Sequence, residues 1–267
     1  MRNISIGLYN WAVLSLILLV SCTSENQTAE ESTGGPVSFM LQGTRAGDTK
    51  FDTGDAIGVF ASVNPSGTLS ANSNYADNVK YVYSGNRFIN AGKGIEVPKD
   101  ANNDATYYAV YPFKENIKPN FEFYVNEDQS TYDAFTKSDL CLAKTVIAPT
   151  EALVPLKFNH MLSRVLVDAS SIGLYPGNYR LELLAYYSGV KATVEQQSVT
   201  SVSAATVPHI KMCEDGANHF KAILPPQTLN ASDVVGLLYI DNDLPISVIL
   251  RDNIELVSGT SVELKLR

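Results

Sequence analysis

Short alternations of apolar and other residues run along most of this chain and predict β-strands. In residues 37–42, Val37, Phe39 and Leu41 occupy every second position, which is the period of a half-buried strand. The turn sequence Ser84-Gly85-Asn86 separates two such runs and predicts a hairpin. Many short strands at this spacing predict an all-β protein built from antiparallel β-sandwiches. The other predicted strands are Ile57–Val63, Val79–Tyr83, Arg87–Ile89, Tyr107–Tyr111, Phe121–Val125, Val154–Phe158, 162–170, Tyr179–Tyr187, Lys191–Glu195, Phe220–Leu224, Val235–Ile240, Ile246–Leu250 and Ser261–Leu266.

The apolar pattern between residues 154 and 170 is too long for one strand, since strands usually have about 5–6 residues. We therefore expect a bend near His160–Ser163 and place a domain boundary there. Pro155 cannot donate a backbone hydrogen bond, so its run is expected at a sheet edge or a strand beginning. The sequence thus predicts two tandem domains, an N-terminal β-sandwich over 37–162 and a C-terminal β-sandwich over 163–267.

The first 21 residues have a different character from the rest. An apolar run, Trp11–Val20, follows the basic residue Arg2 and ends in Leu19-Val20-Ser21-Cys22. The run is too short to cross a bilayer core of roughly 30 Å as a helix. The segment resembles a bacterial lipoprotein signal peptide, in which the cysteine receives a lipid and becomes the mature N-terminus. An ordinary secretory signal with a chance cysteine is the alternative.

Composition and charge narrow the possible partners. Residues 22–36 are polar and acidic and are expected to form a flexible tether. The chain has 20 Lys and Arg against 28 Asp and Glu, a net charge of −8. We see no basic cluster, so a nucleic-acid partner is not expected. Cys141 and Cys213 are expected as small buried core residues, although the sequence leaves open whether they pair in a disulfide.

The sequence offers no catalytic, metal or cofactor site. The three histidines are scattered, and no zinc, phosphate-loop or serine-hydrolase motif is present. Asn126-Glu127-Asp128 lacks the spacing of a calcium loop, and His160 is interpreted as a hydrogen-bonded structural residue. A short helix or 3₁₀ turn is expected at Ser130–Phe135. Trp11 is the only tryptophan, so after removal of residues 1–21 no tryptophan is left to stack on a sugar. Tyrosines could do so, but core packing is their more common role.

Three ordered segments, with the lipidation sequence ahead of them, resemble the fimbrillin-like proteins of Bacteroidota, which are subunits of lipoprotein-derived (type V) pili. The segments are Gly43-Thr44-Arg45 with 51–60, Ser138-Asp139-Leu140 with Ala143 leading to 156–164, and 223–228.

This resemblance implies two transthyretin-like β-sandwich domains and transport to the outer membrane as a lipoprotein, followed by incorporation into a cell-surface fimbria. In stalk subunits of the family, a protease cuts after an arginine behind the first strand. That strand leaves, and a strand of the next subunit fills the groove. The matching positions here are Arg45, with Ala46 as the new N-terminus, and the departing strand 37–42.

A replacement strand must alternate in the same way as the departing one. Val262, Leu264 and Leu266 do so, although this segment could instead close its own sheet. The leading hypothesis is a stalk, anchor or accessory subunit of a pilus, not an enzyme. The alternative is a surface lipoprotein that binds a glycan or host ligand through its distal loops.

Overall fold

The regular secondary structure of the described residues is almost all β-strand, as the alternations predicted. The computed structural model describes residues 35–42, 50–99, 102–172, 177–203, 207–241 and 243–266. The strands up to residue 160 are β1 (Ser38–Leu41), β2 (Ala56–Ser62), β3 (Ala76–Tyr83), β4 (Arg87–Ile89), β5 (Ala105–Tyr111), β6 (Asn120–Tyr124), β7 (Cys141–Ile147), β8 (Leu153–Leu156) and β9 (Phe158–His160).

Twelve further described strands follow, after the bend that was predicted near His160–Ser163. They are β10 (Ser163–Asp168), β11 (Tyr179–Leu184), β12 (Tyr187–Thr193), β13 (Ser198–Ser203), β14 (His209–Lys211), β15 (Cys213–Glu214), β16 (His219–Leu224), β17 (Gln227–Leu229), β18 (Val234–Ile240), β19 (Ile246–Ile249), β20 (Ile254–Leu256) and β21 (Ser261–Lys265).

One short helix, α1 (Tyr132–Lys137), lies between β6 and β7 in the described chain. It begins because the hydroxyl of Thr131 accepts a hydrogen bond from the backbone N–H of Ala134 at 3.2 Å, which is the standard N-cap contact. The helical turn expected at Ser130–Phe135 is therefore confirmed. Within the described residues, no helical segment has the length and apolar character that crossing a membrane requires.

The largest sheet has eight strands in the order β8-β1-β4-β3-β2-β5-β7-β9. Its pairings are antiparallel, including the predicted β3–β4 hairpin, except for β1 with β8, which run parallel. Pro155 lies in β8 at the end of this order, which confirms the edge position predicted from its missing N–H. The run 154–158 is two strands rather than one, because β8 pairs with β1 whereas β9 pairs with β7.

The central strands of this sheet are buried on both faces and separate two hydrophobic cores. In β5, Tyr107 and Ala109 belong to a first core with Phe39 and Phe88. The alternate residues Tyr108 and Val110 of the same strand belong to a second core. Both faces must be covered for this to occur, which explains the nearly continuous apolar sequence of these strands.

The second core and one small sheet contain residues from both sides of residue 162, where the domain boundary was predicted. The second core combines Phe60 and Phe135 from before this position with Val165 and Leu224 from after it. In the sheet β13-β12-β6, strand β6 pairs with β12 along its whole length. The domain boundary at residue 162 stays a prediction.

The other sheets are β15-β16-β10-β21, β14-β11-β18-β19 and the pair β17-β20. The predicted strand Tyr179–Tyr187 is wrong in one respect, because β11 ends at Leu184 and β12 begins at Tyr187. The physical reason is the side chain of Gln227, whose carbonyl oxygen accepts the backbone N–H groups of Tyr186 at 2.8 Å and Tyr187 at 3.2 Å. The sequence pattern also missed several strands: β7, β13, β14, β15, β17 and β20.

Candidate assembly site

Strand β1 occupies a slot between two other strands of the eight-stranded sheet. It pairs antiparallel with β4, where Phe39 lies opposite Phe88, and parallel with β8, where Phe39 lies opposite Val154. The backbone N–H of Ser38 donates to Ala152 at 2.8 Å. We call the space between β4 and β8 the β1 slot. Because β1 is an interior strand, its removal would leave unpaired backbone edges on both sides of the slot.

The side chains of β1 fill the first core from this slot. Val37 is 2% exposed and Phe39 is 0% exposed, whereas Met40 is 40% exposed, so the alternation has the orientation that the sequence predicted. The ring of Phe39 meets Tyr81 edge-on at 4.8 Å and Tyr107 at 5.5 Å between centroids. This is a favoured aromatic geometry, and it makes Phe39 the central apolar anchor of the strand.

Two successive hydrogen bonds connect the wall of the slot to the beginning of the strand. The backbone N–H of Ile95 donates to the hydroxyl of Tyr81 at 2.8 Å. The backbone N–H of Val37 in turn donates to the carbonyl of Ile95 at 2.7 Å. Burial raises the pKa of Tyr81, so its hydroxyl stays neutral. The slot therefore combines an apolar interior with specific backbone acceptors for an extended strand.

The floor of the β1 slot includes the fully buried side chain of Tyr107. The hydroxyl of Tyr107 is buried and has no hydrogen-bond partner among the described residues. Burial, with a smaller contribution from neighbouring Tyr75 and Tyr81, raises its pKa above the usual range. The surrounding first core consists of apolar and aromatic side chains, so burying a charged side chain here would cost free energy, and the slot favours apolar side chains.

The segment expected to donate a strand lies in a sheet of its own chain. Strand β21 runs parallel to β10 at the end of the order β15-β16-β10-β21. Leu264 is 8% exposed, and Val262 and Leu266 are half-buried and pack against the second core. Because β21 is an edge strand, its departure would break backbone hydrogen bonds to a single neighbour, β10. Its role as a donor stays a prediction.

Three residues of the predicted site lie outside the described residues: the lipidation residue Cys22 and the cleavage pair Arg45 and Ala46. The described chain stops at Gln42, directly after β1, and resumes at Lys50. Lipidation and cleavage therefore stay predictions.

Asp139, Cys141 and His160 come together beside the first core, although the sequence analysis predicted no metal site. The imidazole Nδ1 of His160 lies 2.8 Å from a carboxylate oxygen of Asp139 and 3.5 Å from the sulfur of Cys141. Because both groups contact the same nitrogen, the cluster lacks the arrangement of a nucleophile–histidine–carboxylate relay. The sequence could have indicated the cluster only through the β7–β9 register.

Asp128 forms an ion pair on the surface, whereas the two cysteines of the described chain are buried. Asp128 pairs with Lys211 at 2.8 Å, and hydrogen bonds from Lys211 and Ser130 lower the pKa of Asp128 to about 2. Cys213 is buried, as is Cys141, and no disulfide joins the two.

The chain was compared with known proteins and structures. The model of the fimbrillin-like family matches residues 44–267. A solved structure of a protein assigned to cell adhesion from Bacteroides ovatus has a TM-score of 0.64 and 16% identity, covering 86% of this chain and 92% of its own. A similarly assigned protein from Bacteroides uniformis has a TM-score of 0.60 and 18% identity, with coverages of 86% and 93%.

A third structure, from Bacteroides thetaiotaomicron, has a TM-score of 0.54 and 15% identity, covering 87% of this chain and 93% of its own. No curated protein sequence matches the chain. At these identities the structural neighbours establish the fold, whereas the family model covers most of the sequence. The chain belongs to the fimbrillin-like family.

Proposed function

We propose that this chain is a structural subunit of a cell-surface pilus and that subunits join by exchanging the strand in the β1 slot. The observation that carries the proposal is the interior position of β1, with Phe39 fully buried between two paired neighbours. Loss of β1 exposes apolar core and unpaired backbone at once. Both are costly in water, so a strand of matching pattern binds strongly in its place.

The C-terminal strand matches the pattern that the slot requires. The inward residues in β1 and just before it are Val37, Phe39 and Leu41, and Val262, Leu264 and Leu266 follow the same spacing near the C-terminus. In both segments the middle residue is the most buried of the three. A copy of the C-terminal segment could therefore place Val and Leu where β1 places them, with Leu264 instead of Phe39 at the centre.

Cleavage after Arg45 would convert the precursor into a polymerising subunit. Arg45 follows Gln42, the residue directly after β1, by three positions, so the cut would release β1 together with everything before it. The released part includes Cys22, and its lipid would hold the uncut precursor at the outer membrane. A subunit that is never cut would instead remain as a membrane anchor.

The test is controlled cleavage of the full-length chain with an arginine-specific protease. We expect the cut chain to form oligomers that survive heating in detergent, whereas an Arg45→Ala chain treated identically stays monomeric. The control matters because other arginines, including Arg87 in β4, are exposed. A synthetic peptide with the sequence of residues 35–42 should block the oligomers, and the same peptide with Phe39→Asp should not.

A cut chain that stays monomeric and binds neither peptide would exclude strand exchange. The surface-lipoprotein alternative, with a glycan or host ligand bound at distal loops, would then be the better hypothesis.

A further inference from the structure

Three side chains of types that can bind a metal meet at the start of β7 and the end of β9. Cys141 and His160 are a directly opposed pair in the antiparallel β7–β9 ladder, so their side chains are neighbours on the same face. Asp139 lies just before β7, and its carboxylate oxygen is 2.8 Å from Nδ1 of His160. The β7–β9 register therefore brings the thiol and imidazole together, and the segment before β7 adds the carboxylate.

The distances in this cluster are close to those of a tetrahedral zinc site. Zinc–nitrogen bonds of about 2.0–2.1 Å and zinc–sulfur bonds of about 2.3 Å place the two ligand atoms about 3.5 Å apart. The Nδ1 of His160 and the sulfur of Cys141 are 3.5 Å apart. All three ligand atoms lie within 4.8 Å of one another, so rotation of the Asp139 carboxylate would be needed to bring its oxygen to the spacing of a bound ion.

The charge balance favours a bound cation. The Asp139 side chain is 3% exposed, and among the described residues the imidazole of His160 is its hydrogen-bond donor. A buried carboxylate with few donors is costly. With a divalent zinc ion, the carboxylate and the Cys141 thiolate would supply two negative charges and the neutral imidazole none, which leaves the site electrically balanced.

The cluster lies just below the protein surface and has a free coordination position. Cys141 is 0% exposed, whereas the side chain of His160 is 13% exposed. Three protein ligands leave the fourth tetrahedral position for water or a ligand from outside. We infer that Asp139, Cys141 and His160 form a binding site for zinc or a similar divalent transition metal.

The experiment is a cobalt titration of the full-length, reduced and chelator-treated chain in detergent. Cobalt replaces zinc and gives a thiolate-to-cobalt charge-transfer band when a cysteine coordinates it. The chain has three cysteines, so a Cys22→Ser, Cys213→Ser double variant leaves Cys141 as the one possible source of the band. We expect this variant to bind one equivalent of cobalt with the band, and zinc to displace it.

Further substitutions in that background identify the ligands. Cys141→Ser is nearly isosteric and should abolish the band, while His160→Gln and Asp139→Asn should each weaken binding at least about tenfold. Zinc should raise the melting temperature of the native chain and leave that of Cys141→Ser unchanged. Absence of the band in the double variant, or unchanged binding in a folded His160→Gln chain, would overturn the inference.

Discussion

Replacing Phe39 with alanine should weaken the uncut protein more than any other single truncation in β1. The side chain is completely buried and contacts Tyr81 and Tyr107 edge-on. Truncation removes its burial and both aromatic contacts, and a rigid sheet cannot collapse to fill the space. Phe→Ala substitutions at such sites reduce the free energy of unfolding by about 3–5 kcal/mol.

Met40→Ala is the matched control, because Met40 is the next residue on the same strand and is 40% exposed. We expect it to reduce the free energy of unfolding by about 1 kcal/mol or less. Both substitutions are made in an Arg45→Ala background, so that cleavage cannot contribute. Urea unfolding followed by circular dichroism measures both values on the full-length chain.

Strand exchange gives the same pair of variants a second readout. A labelled peptide with the sequence of residues 35–42 should replace β1 faster in Phe39→Ala than in Met40→Ala, because the weakened strand leaves the slot more often. Equal losses of stability in the two variants would show that Phe39 does not anchor β1, and the reasoning from its burial would fail.

Three further predictions concern other parts of the chain. Cys22→Ala should abolish labelling of the protein by a fatty-acid probe in cells. Asp128→Asn should cost less than about 1 kcal/mol at neutral pH, because the pair with Lys211 is exposed to solvent. The pKa of Asp128 in the folded chain is lowered to about 2. The difference in free energy of unfolding between the native chain and Asp128→Asn, measured in urea, is therefore fully present above about pH 4 and disappears as pH falls through 2. Gly236→Ala should destabilise the protein by about 1–3 kcal/mol in urea unfolding, because the added carbon would lie 2.9 Å from the backbone oxygen of Glu182.

The strands and their faces follow from the sequence because side-chain alternation is a local property. The burial of Val37 and Phe39, the β3–β4 hairpin and the edge position of Pro155 all depend on residues close together in the chain. Tertiary contacts could not be predicted in this way. The break between β11 and β12 depends on Gln227, which lies 40 residues further along and bonds to the backbone of Tyr187.

The parallel pairing of β1 with β8 and the cluster at His160 could not be predicted from the sequence either. Each requires the register between strands that are distant along the chain, and register is set by the packed core as a whole. The separation of the two cores by doubly buried strands is a further example. A continuous apolar run such as β5 indicates burial on both faces, but it does not indicate which residues cover each face.

The N-terminal residue of the subunit in its assembled form tests the strand-exchange account most directly. Detergent-resistant oligomers from cells that produce the full-length chain would be separated from monomer and sequenced from the N-terminus. The account predicts Ala46 in the oligomers and a lipid-blocked Cys22 in the monomeric precursor. Oligomers that begin at Cys22 and still contain Val37–Gln42 would contradict it, because the β1 slot would then still hold its own strand.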